Sequence, residues 1–421
     1  PAGCAPASGD TRHYELWSEY LEKLIHPDIR LTPQQMSKMS STAKLVVDAL
    51  LGSSSEADAA VFAAELFRHY EHPEQTEPDA AFALLDTVVN LPAAFCGPRE
   101  TAVLVQFADW WLRCGGLPQK AAGARLFRHL LTTLPSGDPL RGQISRAAQG
   151  ADCEGCTPLL FLQFQLGEQL GFDVTEQAEF LNRQSAVSNV FLDNLKTATP
   201  WILKAVGVEY LLHQVEHGSH TNILHIATHF SNLIKVSENV VVRRMAGSSL
   251  LSMAPALTPD RRNEIAVELS KALETGESEI SKYIPEYLGR FVLWLPPREL
   301  DEVIGQMESL LSSPSNNVVN AALGTVGSML AYYSVYGSRF LQEETSLLCR
   351  RNRLAGLLLK GLSSYREPVR RETLRILGEG LFASNAMAYD DKTSLFTLIA
   401  KKLLCLISEN GERELTFFYT A

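Results

Sequence analysis

The chain has 421 residues, 46% of them hydrophobic and 20% charged, with a formal net charge of −10. That balance belongs to a folded protein, built as two or three domains or as one elongated array, and not to a disordered chain. An acidic excess excludes general attraction to nucleic acid or anionic membrane, which needs clustered positive charge.

No run reaches the roughly 20 apolar residues of a membrane-spanning helix. The opening "PAGCAPASGDTRHYELW" has neither a basic n-region nor an apolar h-region, which predicts no secretory signal. It lacks an initiator Met, and the closing "GERELTFFYTA" stops inside an apolar pattern, so a piece of a longer polypeptide is expected. Seven cysteines (Cys4, Cys96, Cys114, Cys153, Cys156, Cys349 and Cys405) are scattered and odd in number. Reduced thiols in a cytoplasmic setting are the expectation.

Along the chain, apolar residues recur at three- and four-residue spacing in segments of about 10 to 18 residues, as helices require. "TAKLVVDALLG", "DAAVFAAELFRHY", "DAAFALLDTVVNL" and "ETAVLVQFADWWLRCGG" carry the pattern early. "EIAVELSKALETG", "ELDEVIGQMESLL" and "NRLAGLLLKGL" carry it later, and sustained period-2 alternation is missing. The prediction is an all-α protein. Residues 1–190 form a helical region of divergent repeats or a bundle, most loop-like over 134–158. Thr258-Pro259-Asp260 reads as a capped helix start.

Residues 191–421 repeat. "VRRMAGSSLLSM" from Val242, "ISKYIPEYLGRF" from Ile280, "VVNAALGTVGSM" from Val318 and "VRRETLRILGEG" from Val369 align, their starts 38, 38 and 51 residues apart. Ala246, Ile284, Ala322 and Thr373 fill a second column, and Leu250, Leu288, Val326 and Leu377 a third. Gly289, Gly327 and Gly378 follow directly, while Ile202, Val206 and Tyr210 extend the three columns toward the N-terminus. An isolated helical glycine costs roughly 1 kcal/mol, so a glycine column predicts close helix packing. The small residues Ala246, Ala322, Gly327 and Gly378 are expected to let neighbouring helices approach. One helical hairpin cannot bury both its apolar faces, so stacking and a recurring buried set go together.

A period near 40 with paired helices resembles HEAT and armadillo arrays, and "EPVRRETLRILGEG" (367–380) is most similar to a HEAT first helix. Over residues 197–421 the resemblance implies an α-α superhelix, or solenoid, of stacked antiparallel helix pairs that holds a partner on a concave face. It implies no catalytic residue.

Three features could carry chemistry. "HQVEHGSHTNILHIATH" (213–229) holds half of the ten histidines as two His-x-x-x-His pairs, His213/His217 and His225/His229, with His220 between. Residues four apart share a helix face, so His213, His217 and His225 could ligate zinc and leave a position open for water. Glu209 or Glu216 would then act as base or orienter of a metal-dependent hydrolase. The plainer reading has the rings bonded to backbone at helix ends or half-buried between repeats. "CEGC" (Cys153 to Cys156) lacks the second pair of a zinc ribbon and the βαβ setting of a thioredoxin-like site, and reads as a loop with two ordinary thiols.

The basic strip Arg350, Arg351, Arg353, Lys360, Arg366, Arg370, Arg371 and Arg375 stands out in an acidic chain, with Arg243 and Arg244 in the columns of Arg370 and Arg371. Arg350, Arg351, Arg353, Arg370 and Arg371 are candidates to bind an acidic protein segment or phosphates; the alternative is a solvated face with inter-repeat ion pairs. The insertion "AYYSVY" (331–336) maps to a loop of the kind that carries function. No nucleotide-binding or nucleophile-elbow motif occurs. The expected function is a non-catalytic scaffold that binds a protein partner, or the accessory region of a larger multidomain protein.

Overall fold

The computed structural model describes residues 97–217, 222–337, 344–383 and 389–410, with Glu71 and Met387 besides. Among the described residues every regular element is a helix. Many helices open on a proline: Pro98, Pro118, Pro139, Pro158, Pro259, Pro297 and Pro368 sit at the first or second helical position. The fixed φ suits that turn, where the missing N–H would be unpaired anyway. Thr258 does stand just before a helix, but its hydroxyl makes no capping bond.

The chain gathers into two compact units, one of residues up to His217 with Glu238–Val242, the other of Asn222–Ser237 with Arg243 onward. In the first, α1 (Pro98–Cys114), α2 (Leu117–Thr133), α3 (Pro139–Gln149), α4 (Thr157–Leu170), α5 (Thr175–Leu181), α6 (Gln184–Leu195) and α7 (Trp201–His217) follow in order. Helices α2, α4 and α7 lie side by side, α1 packs on α2 and α3, and α3 packs on α4. The described helices of the first unit therefore pack in layers as well. The expected boundary near 190 falls inside α6.

The expected loop over 134–158 is corrected in part, because Pro139–Gln149 is helical. Asp138 Oδ1 accepts the Leu140 N–H at 2.8 Å, and Ile144, Ala147 and Ala148 bury one face. A three-residue apolar face on eleven residues is too sparse to show periodicity against a polar background. Buried Tyr210 on α7 donates its hydroxyl to Leu181 O at 2.7 Å, tying the end of α5 to the layer.

The second unit runs α8 (Ile223–Val236), α9 (Val240–Met253), α10 (Pro259–Glu274), α11 (Ser278–Phe291), α12 (Pro297–Leu310), α13 (Asn316–Gly337), α14 (Glu344–Leu362), α15 (Glu367–Arg375) and α16 (Tyr389–Asn410). Helix α15 continues as a π-helix over Ile376–Phe382. Contacts run α8 to α10 to α12 to α14 to α16 along one layer and α11 to α13 to α15 along the other. Helix α9 joins the second layer from Arg243 on, with Gly247 against the Tyr287 ring of α11. This is an all-α, HEAT-like stack of antiparallel helix pairs.

The columns are its core. Ala246, Leu250, Ile284, Leu288, Val318, Ala322, Val326, Val369, Thr373 and Leu377 are all buried, as are Ile202, Val206, Tyr210 and Val242 in the first unit. The Ile280 side chain lies outside the described residues. Thr373 satisfies its hydroxyl by donating to Val369 O at 2.7 Å.

The glycine column works at two of its three positions. A Cβ on Gly289 would lie 2.6 Å from Ser328 Cβ and from Thr325 O of the next hairpin, and one on Gly327 would collide with Ile376 Cγ2. Gly378 is exposed with nothing within 4 Å of a Cβ, so the expected packing role is wrong there. At Ile376 the helix widens from α to π, and the Ala383 N–H bonds Gly378 O five residues back. The α-helical phase that would aim Gly378 at a neighbour is lost.

Gly289→Leu and Gly327→Leu should each destabilise by about 1–3 kcal/mol or more, because their neighbours are backbone or branched side chains with little room to yield. Gly378→Ala should be neutral or stabilise by up to about 1 kcal/mol. Urea unfolding followed by far-UV circular dichroism checks all three.

Candidate interaction surface

The basic strip is already engaged within the second unit. Arg350, whose side chain is 13% exposed, grips Asp301 of α12 bidentately, Nε to Oδ1 at 2.7 Å and Nη2 to Oδ2 at 2.8 Å. That bond holds the Asp301 carboxyl below the usual carboxylate range and raises Arg350 in turn. The buried Tyr333 hydroxyl on α13 completes the guanidinium's surroundings. Arg351 pairs with Asp391 of α16. Arg353 and Lys360 share Glu308 of α12 at 3.2 and 2.6 Å, which lowers the Glu308 carboxyl, chiefly through Lys360.

Arg366 reaches across a hairpin boundary to Ser313 O at 2.8 Å and to Pro314 O and Asn316 Oδ1 at 3.3 Å. Arg370 turns back six residues to donate to Ser364 O at 2.8 Å. Arg243, in the same column, makes the same six-residue bond to Ser237 O. Each staples the turn that precedes its own helix. Arg371 and Arg375 pair with acids on their own helix segment, Glu367 for the first, Glu372 and Glu379 for the second. The five predicted binding arginines are thus dispersed among structural partners, and only Arg371 is mostly exposed, at 71%.

Polar pairs join successive members of one layer throughout the second unit. Lys235 of α8 pairs with Glu268 of α10, and Glu274 of α10 accepts from Gln306 of α12 at 3.1 Å. The Arg350, Arg353, Lys360 and Arg351 bonds carry the chain of contacts on to α14 and α16.

Of the histidines, His213 and His217 lie on α7 in the first unit, and their rings stack with centroids 4.3 Å apart. His213 also meets Phe161 at 5.3 Å and Phe164 at 5.8 Å. Burial lowers its affinity for a proton, and the His217 ring lowers it further. His217 Nδ1 lies 3.3 Å from His213 O, where it can donate only as N–H. His225 and His229 lie on α8 in the second unit, the first exposed and the second buried. His220 lies outside the described residues.

No group of three His, Cys, Asp or Glu among the described residues is placed to hold a metal ion. Glu209, considered as a base, is bound by Arg125 at 3.2 Å and Arg128 at 2.8 Å. Glu216 is exposed. The hydrolase reading finds no support.

Cys153 and Cys156 are free and buried. Their turn closes through Cys156 N–H to Cys153 O at 3.3 Å, with Gly155 at φ 72°. Burial pushes the Cys153 thiol up to about 11 and raises Cys156 as well, so neither is thiolate at neutral pH. The insertion at 331–336 is a correction: α13 continues through it to Gly337. Tyr333 is buried and Tyr332 lies under Arg290, 4.5 Å from guanidinium carbon to ring centroid. An extra helical length spends inserted residues on packing, where a loop was expected.

No protein-family model and no curated protein matches the chain. Among solved structures, an engineered protein is 16% identical over 93% of this chain and 95% of its own, with a TM-score of 0.31. The karyopherin Kap121p bound to the extreme C-terminus of the protein phosphatase Cdc14p is 12% identical over 96% of this chain and 45% of its own, with a TM-score of 0.42. Kap121p bound to Pho4p is 11% identical over the same shares, at 0.41. The chain spans less than half the length of these Kap121p chains. The helical stack is defined by its own packing, and these likenesses add no residue or activity to it.

Arg350→Ala should cost about 1–3 kcal/mol, moderated by the partial exposure of Asp301, whereas Arg371→Ala should cost under about 0.5 kcal/mol; chemical denaturation compares them. A second expectation concerns pH. His229 is held down to about 4 by burial, so the folded state binds fewer protons than the unfolded state between that value and about 6.5. Stability should therefore fall as pH drops through this window, by roughly 3 kcal/mol from His229 alone. In His229→Gln the slope of unfolding free energy against pH should flatten there.

Proposed function

We propose that the chain is a helical-repeat scaffold that holds a protein partner along an extended helical face, the inner concave one, in the cytoplasm. One observation carries this reading. In the second unit, successive hairpins are joined in both layers, by glycine contacts in one and polar pairs in the other. The construction yields long, continuous helix faces that each present several repeats at once. Such a surface suits recognition of an extended segment. Exposed side chains of both signs occur on α10 (Asp260, Arg261, Glu264, Lys271, Glu274) and α12 (Arg298, Glu302), so charge complementarity would set specificity more than raw affinity. The five described cysteines are all free thiols, which fits a reducing compartment.

In-cell crosslinking of the tagged chain, followed by mass spectrometry, tests the reading. Crosslinks to one dominant protein, concentrated on one helical layer, are expected. Crosslinks spread evenly over both layers and many proteins would contradict it. Purified protein that carries stoichiometric zinc and loses it on His213→Ala would favour the hydrolase instead.

A further inference from the structure

We propose that the cleft between α1 and α3 receives acidic side chains of a peptide segment. The assignment deepens the scaffold reading above and rests on it. The cleft encloses about 350 Å³, inside the range of roughly 300–1,000 Å³ typical of ligand sites. That is more room than one carboxylate needs. Val105 and Ala147, both buried, form an apolar floor, and Gln106 and Gln143 set exposed amides at the rim.

Its charges differ from those of the basic strip. Arg113 is committed to Asp109, with Nε 3.1 Å from Oδ1, so that pair is neutral as a unit. The Arg146 guanidinium, exposed on α3, has no hydrogen-bond or ion-pair partner among the described residues. The cleft therefore keeps one net positive charge on a chain whose total is −10. A planar guanidinium matches a carboxylate through two parallel hydrogen bonds. The rim amides can donate to the peptide backbone, and the floor can take the methylenes of a glutamate. A phosphate would meet the same guanidinium, but only a peptide would also use the apolar floor of Val105 and Ala147 and the rim amides, which favours the acidic peptide.

Fluorescein-labelled decaglutamate, titrated by anisotropy against the full chain at low salt, tests the site. Saturable binding is expected, weakened about tenfold or more by Arg146→Glu. Arg371→Glu, at another exposed arginine, should change it less than about twofold. Absent binding, or equal weakening by both substitutions, would overturn the assignment. Since the peptide is defined in advance, that failure would leave the crosslinking test of the scaffold reading untouched.

Discussion

The second unit depends on how closely one helix of the layer α9, α11, α13 and α15 can approach the next. At Gly247, Gly289 and Gly327 the following hairpin delivers Tyr287, Ser328 and Ile376 into the space a Cβ would fill. Helices with side chains at the contact sit about 8–10 Å apart, and removing a Cβ lets a neighbour's branched or aromatic group seat directly on the backbone. Ser328 exploits the approach by donating its hydroxyl to Glu286 O at 2.8 Å. Each glycine lowers the helix propensity of its own segment and gains dispersion contacts from its neighbour. The buried columns flank this seam, so their burial follows once the approach is set.

Charge plays a supporting part. In an acidic protein a basic strip invites a functional reading, yet every cation in it faces an acid or carbonyl of the fold, of the adjacent repeat for Arg350, Arg351, Arg353, Lys360 and Arg366 and of its own segment for Arg370, Arg371 and Arg375. Arg350 is the clearest case, because its guanidinium is mostly shielded while the pair at Arg371 and Glu367 is exposed on both sides. Structural arginines and recognition arginines have the same composition; what separates them is whether the partner is supplied by the fold. By that measure Arg146, away from the strip, is unengaged among the described residues.

The columns of the second unit were legible because stacking repeats the same environment, at spacings of 38, 38 and 51 residues, and a repeated environment leaves a repeated residue class. The N-terminal hairpins left no such trace: α3 buries three residues and α5 is a single short segment, so no column persists. Gly378 misled because sequence spacing assumes an α-helix and the chain widens to a π-helix two residues earlier. The "AYYSVY" insertion misled for a related reason, since length added between repeats can extend a helix as readily as a loop. For the histidines, spacing correctly brought His213 and His217 together. It could not show that Phe161 and Phe164 occupy the adjacent space, because those contacts come from residues some 50 positions away. The cleft between α1 and α3 was invisible for the same reason, its two walls being separated by the whole of α2.

The account stands or falls on the seam between Gly327 and Ile376. A double-mutant cycle of Gly327→Leu and Ile376→Ala measures it directly through unfolding free energies. Trimming Ile376 should make room for the new leucine, so the double mutant should lose about 1 kcal/mol or more less than the two single losses combined. Losses that simply add would show that the two residues do not share one contact, and the stack would need another explanation.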